Sequence, residues 1–567
     1  MNLKKTLSVA LAAIFLMACN GKQAVQTNNV HKNGVVVTAH FLASEVGSNI
    51  LKQGGNAFDA AVAVQFALAV FYPRAGNIAG GGFAVIRTAK GESESLDFRE
   101  KAPKAASERM YLDANGNVIE GLSQTGHLAV GVPGSVDGMV KLHQKYGSLG
   151  WEKLVQPAIN LAKNGVTLTK LEAEKLNAYR ERINQANAGK TNCCYIKDAD
   201  FITGELIKNP ELENVLIRIK NQGRNGFYEG ETAELIISEM QRGKGLISKE
   251  DLKEYQAVWR PALIGKYHNC KIISMPPPSS GGIALMQLLK GAEKFNMGQY
   301  QFGSLEHIHL MVELERRVYA DRATWLGDPD YCSVPKDKLL SDEYLTNRYS
   351  NIAMNSKSNS QDIKAGNVEV IESFETTHFS IVDKWGNAVS VTTTLNGNYG
   401  SKVIVEGGGF FLNNEMDDFS IKSGIPNQFG LVGGKANAIE PEKRMLSSMT
   451  PTIIEKNGKL FMVTGSPGGS TIITSVFQNI INAVEFKMNA QECVNAPRIH
   501  SQWLPDKVYA ETGAISPVVK KELQNLGHII QEQSRIGMMA NISVNPKGQY
   551  IGAADTLRHA DSKAIGY

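Results

Sequence analysis

The sequence predicts an α+β fold in which antiparallel hairpins stand beside abundant helices. Three observations predict it. Residues 377–382 and 388–395 are β-rich runs joined by the turn residues Asp383-Lys384-Trp385-Gly386-Asn387. Residues 451–455 and 459–464 repeat that pattern around Lys456-Asn457-Gly458. Helical periodicity with lysine-rich faces fills most of residues 151–260.

The elements follow in order. Residues 44–52 read as a short helix stopped by Gly54 and Gly55. Asn56 caps a second helix over residues 57–70, with Asp59 in its first turn. That helix is apolar nearly all round and is therefore expected to be buried. A glycine-rich turn at residues 75–82 leads into a strand at 83–88. Phosphate loops run strand, loop, helix, so this order argues against one, and no Gly-Lys-Ser/Thr follows. The proline-rich loop 275–282 precedes a helix starting near Ile283. Ser304 caps another helix that runs to about Trp325 and carries His307, His309 and Glu313. His309 and Glu313 share a helix face and could mimic half a metal site, but a polar helix face is the simpler reading. Residues 354–366 are rich in Asn, Ser and Lys and read as an exposed, mobile segment. The second glycine-rich turn, residues 465–470, opens a helix over 471–485.

Composition bounds the function. The 567 residues include 43% hydrophobic and 20% charged side chains, with a net charge of +4. That is ordinary globular composition, and length alone suggests three or four domains of about 150 residues. No long basic block is present, so nucleic-acid binding has no electrostatic footprint. Lys4 and Lys5 precede an apolar stretch over residues 7–17, too short to span a bilayer. It reads as a signal peptide over residues 1–18. Leu16-Met17-Ala18-Cys19 resembles a bacterial lipobox, which makes Cys19 the expected lipidation site. Residues 19–35 would form the lipidated Cys and a polar tether, so the protein is expected to be exported to the periplasmic side or cell envelope. The six cysteines (19, 193, 194, 270, 332 and 493) match no zinc spacing, and disulfide pairing stays open.

A hydroxyl nucleophile needs a base within reach. No Gly-x-Ser-x-Gly elbow occurs, which leaves little support for an α/β-hydrolase triad. The alternative base is the α-amine of the nucleophile's own residue, freed by chain cleavage, whose pKa near 7.7–8.0 suits neutral pH. Thr376, opening a strand after Glu375, fits in position and type. His378, two residues on and on the same strand face, is the competing candidate for a base.

The run Thr376-Thr377-His378-Phe379-Ser380-Ile381-Val382-Asp383 resembles the start of the small subunit of the γ-glutamyltranspeptidase family. The likeness continues through Leu412-Asn413-Asn414-Glu415-Met416-Asp417-Asp418-Phe419, Leu446-Ser447-Ser448-Met449-Thr450-Pro451-Thr452 and Thr464-Gly465-Ser466-Pro467-Gly468-Gly469-Ser470. Upstream, Leu96-Asp97-Phe98-Arg99-Glu100 and residues 276–282 are similar too, and the motifs keep their order from about residue 36 to 567.

The resemblance implies a four-layer αββα sandwich of the N-terminal-nucleophile class. It implies self-cleavage between Glu375 and Thr376, giving a large subunit of residues 36–375 and a small subunit of residues 376–567. Those 192 residues (567 − 375) would begin with the nucleophile Thr376. The implied roles are an oxyanion hole from the Gly468 and Gly469 amides and a hydroxyl partner for the nucleophile from Thr394. Arg99, Ser447 and Ser448 would clamp the substrate α-carboxylate, and Asp418, Glu415 and Asn396 would hold its α-ammonium. The implied substrates are glutathione and other γ-glutamyl compounds, with water or an amino-acid or peptide amine as acceptor and with no cofactor or metal. Residues 423–434 match a lid over bound glutamate. Phe429 stands where some relatives carry a latching Tyr, which implies a looser lid held by apolar contact. Two other readings remain: a related acylase removing a glutaryl-type side chain from a β-lactam, and a non-enzymatic lipid-anchored binder of amino acids or peptides.

Overall fold

The computed structural model describes residues 30–190, 193–363 and 376–567. The expected signal peptide, the expected lipidation site Cys19 and Glu375 of the expected cleavage bond lie outside the described residues.

Fourteen strands build two seven-stranded sheets. In chain order they are β1 (Val30–His31), β2 (Gly34–Thr38), β3 (Gly81–Arg87), β4 (Ser93–Asp97), β5 (Val258–Arg260), β6 (Leu263–Tyr267), β7 (Cys270–Ser274), β8 (Thr377–Asp383), β9 (Ala388–Thr394), β10 (Thr452–Lys456), β11 (Lys459–Thr464), β12 (Ala540–Val544), β13 (Tyr550–Ala554) and β14 (Lys563–Gly566). One sheet runs β1-β13-β12-β11-β10-β7-β6, the other β14-β2-β8-β9-β3-β4-β5. Alternation along β2 separates two cores. Val35 and Val37 face the first sheet, together with Ile453, Met462 and Ile542, whereas Val36 faces helices with Phe379, Ile381 and Val391. Both faces of the central strands β2, β3, β8 and β9 are thus covered, in line with their fully buried patterns.

Helices α1 (Phe41–Lys52) and α2 (Ala57–Phe71) cover the outer face of the second sheet. Every residue of α2 is buried, in line with its unbroken apolar surface, and Asn56 and Asp59 close a capping box at its start. Helices α3 (Gly281–Lys294), α4 (Leu305–Trp325) and α5 (Ile472–Val484) cover the first sheet. The result is the four-layer αββα sandwich that the resemblance implied. Length suggested several domains, but strands from both ends of the chain alternate within each sheet and make one body.

Three expectations need correcting. The tether was drawn to residue 35, yet Val30 and His31 pair with Ile551 and Tyr550, and Gly34 and Val35 are buried, so the fold starts earlier. The polar face of α4 is inside, not solvated. Glu313 bonds Arg317 at 2.6 Å and Arg316 at 3.3 Å, and His309 Nδ1 lies 2.8 Å from His528 Nε2. Burial pushes the Glu313 carboxyl up, but Arg316, Ser358 and Arg317 outweigh it and hold it down at about 2. The ligand atoms of His309, Glu313 and His528 lie within 4.8 Å of one another, but protein groups already engage all three residues. The described part of the supposedly mobile segment, residues 354–363, is tied to that same helix. Arg316 bonds the hydroxyl of the buried Ser360, Trp503 donates to the Ser360 carbonyl at 2.9 Å, and Lys357 pairs with Asp506 at 2.7 Å. Buried arginines recruit polar neighbours, and a local composition count cannot register that demand.

Candidate active site

The β8-β9 hairpin sets the nucleophile candidate. Thr377 opposes Thr393 and His378 opposes Thr392, so continuing the register puts Thr376 opposite Thr394. The Thr376 hydroxyl lies 3.4 Å from the Thr394 hydroxyl, and the Asn396 amide donates to Thr394 Oγ1 at 2.7 Å. Asn396 takes φ 74°, a left-handed conformation that asparagine tolerates, and its side chain donates to the Asn414 carbonyl at 3.0 Å.

His378 belongs to a different environment. Its ring packs on Gly465, with Nδ1 2.8 Å from the Thr392 hydroxyl and Nε2 3.2 Å from the Ser380 hydroxyl. Burial holds its pKa down at about 3, so the ring is neutral. Its ring packs against the other sheet's Gly465 but bonds only hydroxyls of its own sheet.

Arg99 leaves the end of β4 and is buried against three carboxyls. Nη1 lies 2.6 Å from Glu415 and 3.6 Å from Glu100, and Nη2 lies 2.5 Å from Asp418. One guanidinium cannot neutralise three buried carboxylates. Burial pushes Glu100 up to about 8, against the pull of Arg99. Burial likewise raises Glu415 well above the carboxylate range and raises Asp418. Neither Glu100 oxygen has a hydrogen-bond partner among the described residues. Burial thus favours the neutral form of Glu100 and Glu415 beside the Arg99–Asp418 ion pair.

Ser447 and Ser448 sit on a strand-like loop laid against the proline-rich loop. Ser447 donates its amide to the Pro278 carbonyl at 3.1 Å, and Ser280 returns its amide to Ser447 at 2.8 Å. Arg322 on α4 donates to Ser448 Oγ at 3.1 Å and to Ser280 Oγ at 2.9 Å. Burial pushes Arg322 down to about 10, which leaves it charged at neutral pH. Sequence reasoning missed Arg322 and Glu100. The available signal for Arg322 was a cation inside a helix capped at Ser304, and for Glu100 an acid directly after Arg99.

Gly468 and Gly469 take φ 138° and 53°, and a Cβ on Gly469 would stand 2.5 Å from the Phe429 ring. No hydrogen bond links either amide to an acceptor among the described residues. Phe429 is buried, and its segment is tied by more than apolar contact. Gln502 donates to the carbonyls of Phe429 and Gly430 at 3.3 and 3.0 Å, and Asn427 donates to Asp418 at 2.9 Å. The expectation of a lid held by apolar contact therefore needs correcting: backbone carbonyls at 429 and 430 supply polar ties that need no Tyr hydroxyl.

A cleft of about 280 Å³ collects Thr376, Thr394, Asn396, Arg99, Asp418, Ser447, Ser448, Gly469 and Phe429. Gly468 opens on its neighbour, and Glu415 lies behind Arg99. The hydroxyl, the cation–acid cluster and the glycine turn thus converge from segments hundreds of residues apart. Such a cleft can orient a small zwitterion against a hydroxyl nucleophile.

A family model described as Gamma-glutamyltranspeptidase matches residues 43–565. The chain is 44% identical over 537 residues to the glutathione hydrolase proenzyme of Escherichia coli K12, covering 94% of this chain and 92% of that protein. It is 44% identical to the crystal structure of Helicobacter pylori gamma-glutamyltranspeptidase, with TM-score 0.55 over 58% of this chain and 94% of that one. A cephalosporin acylase from Bacillus halodurans superposes with TM-score 0.81 at 25% identity, over 95% of this chain and 96% of that one.

Proposed function

The chain belongs to the γ-glutamyltranspeptidase family, and from that membership we propose that it cleaves itself before Thr376 and then hydrolyses or transfers γ-glutamyl groups, glutathione among them. The observation that carries the reading is the shared cleft, in which the Thr376 hydroxyl meets a buried Arg99–Asp418–Glu415 cluster.

In processing, the Thr376 hydroxyl attacks the Glu375 carbonyl carbon and the amide shifts to an ester. That shift breaks the C–N bond and frees the α-amine, and water then hydrolyses the ester, returning the hydroxyl and releasing the Glu375 carboxyl end. In turnover the α-amine takes the hydroxyl proton, and Oγ1 attacks the γ-glutamyl carbonyl. The developing oxyanion accepts from the Gly468 and Gly469 amides. The amine product leaves with the proton, and water or a second amine resolves the ester.

Glutamate enters by exchange of partners. Its α-carboxylate takes Arg99, with hydroxyls from Ser447 and Ser448, and its α-ammonium takes Asp418, with Glu415 and Asn396. A zwitterion replaces one internal ion pair by two and leaves the net charge unaltered. A glutaryl group brings no ammonium and would strand Asp418, which argues against the acylase reading.

We further propose export with a lipid anchor at Cys19, supported by the Leu16-Met17-Ala18-Cys19 motif. One mass measurement tests both. Active wild-type protein should give a 192-residue fragment beginning at Thr376 and a large fragment beginning at a lipid-modified Cys19. Thr376→Ala should be one uncut, inactive chain. Active wild-type protein found uncut would refute the Thr376 reading, and an unmodified Cys19 the anchor.

A further inference from the structure

Two cysteines that are neighbours in the chain, Cys193 and Cys194, lie beyond the helix Lys170–Ala186, half-buried and unbridged. They open a tight turn, in which the Ile196 amide donates to the Cys193 carbonyl at 3.1 Å. Tyr195 anchors that turn. Its ring lies 5.3 Å from the Phe411 ring, and its hydroxyl donates to the Val70 carbonyl at 3.3 Å. Both cysteines pack against the small core that holds Leu395, Tyr399 and Phe411, yet keep part of their surface open.

The turn makes the two sulfurs unequal. Cys193 Sγ accepts a hydrogen bond from the Cys194 thiol and another from the Tyr195 amide. These donors, with the charge of Lys190, outweigh burial and Glu211 and hold the Cys193 thiol below its ordinary range. The same hydrogen bond, and then burial, push Cys194 well up. Burial raises Cys270, Cys332 and Cys493, so Cys193 is the one thiol held down among the described cysteines. A thiolate-prone sulfur touching a protonated one is the arrangement that thiol–disulfide exchange uses, one sulfur attacking and the other resolving.

We propose that Cys193 and Cys194 form a reversible redox-modification site, which small dialkyl disulfides oxidise to a disulfide between the neighbouring residues and small thiols reduce again. Cys193 Sγ attacks one sulfur of the dialkyl disulfide. A mixed disulfide forms, the original S–S bond breaks and an alkyl thiolate leaves. Cys194 Sγ then attacks Cys193 Sγ and displaces the second alkyl thiolate. The two cysteine protons end on the two departing thiols, and two electrons pass from the cysteine pair to the small disulfide. Neighbouring Cα atoms stand about 3.8 Å apart across a trans peptide, against about 4.4–6.8 Å in ordinary disulfides. The closed ring is therefore strained and readily reduced, which suits a reversible mark better than a structural staple. On the proposed export, the turn faces a compartment in which disulfides persist.

The test treats reduced, folded protein with bis(2-hydroxyethyl) disulfide, a probe that carries no γ-glutamyl group. Remaining thiols are then alkylated, and the tryptic peptide of residues 191–197 is weighed. Wild type should yield this peptide unalkylated and two hydrogens lighter than the dithiol, and 2-mercaptoethanol should restore the dithiol. Cys194→Ser should stop at a mixed disulfide between Cys193 and mercaptoethanol. Cys193→Ser should react at this turn about 10-fold or more slowly at neutral pH. A wild-type peptide recovered fully alkylated, a mixed disulfide that never closes, or a bridge from Cys193 to Cys270, Cys332 or Cys493 would overturn the proposal. So would equal rates in Cys193→Ser and wild type.

Discussion

On the proposed function, Arg99 and its acids decide what the glutamyl cleft will accept. Asp418 stands 2.5 Å from a guanidinium it must give up when a carboxylate arrives, and only an incoming ammonium replaces that partner. Wild-type enzyme should therefore favour γ-glutamyl-p-nitroanilide over glutaryl-p-nitroanilide by about 100-fold or more in kcat/KM. Asp418→Asn should erode most of that ratio by depressing the glutamyl rate. A ratio left intact in the variant would remove Asp418 from ammonium recognition. Glu100 makes a pH prediction. Its folded pKa of about 8 lies above the unfolded value, so the native state holds the proton more tightly. The stability this supplies is full below pH ~4.5 and is lost as pH rises through about 8. Glu100→Gln keeps the neutral shape at every pH. Its melting temperature relative to wild type should climb between pH 5 and 8.5, by about 2 °C or more, in scanning calorimetry. A pH-independent difference would show that Glu100 is ionised in the native protein.

At the scale of elements, the segment 423–434, a lid on the proposed reading, is held without a hydroxyl latch. Phe429 fills the space above Gly469, whose left-handed backbone leaves no room for a side chain. Gln502 then fastens the carbonyls at 429 and 430. Hydrogen bonds of this kind contribute about 0.5–1.5 kcal/mol each. Gln502→Ala should raise the open population of the lid about 2- to 10-fold. The readouts are faster amide exchange confined to residues 423–434 and a higher KM for γ-glutamyl anilide. Unchanged exchange there would mean that ring packing alone holds the lid. Helix α4 carries a comparable lesson: Arg316 and Arg317 are buried, and each draws in a polar segment that its own sequence would have left in water.

At the scale of the whole molecule, both sheets mix strands from before and after residue 375. In the second sheet, β8 and β9 lie between β2 and β3, and β14 flanks β2. In the first, β10 pairs with β7 from upstream, and β13 pairs with β1. Cutting one bond therefore leaves dozens of ladder hydrogen bonds and two shared cores intact. The two fragments should co-elute as one species in gel filtration and separate only in denaturant. Separation under native conditions would contradict the shared-core account.

Local information fixed much of this. Apolar periodicity, caps such as Asn56 and Ser304, turn residues such as Asn457-Gly458, and the order of the motifs identified the helices, the hairpins and the candidate residues for chemistry. Such signals are legible because their causes lie within a few residues of one another. Only the tertiary structure decided how the charges combine. Arg99 and Asp418 stand 319 positions apart in the chain, and Arg322 and Ser448 stand 126 apart. The same holds for the upward shifts of the Glu100 and Glu415 carboxyls and for the inward face of α4. Each depends on how much water burial removes and on which distant group fills its place, and neither quantity is written in neighbouring residues.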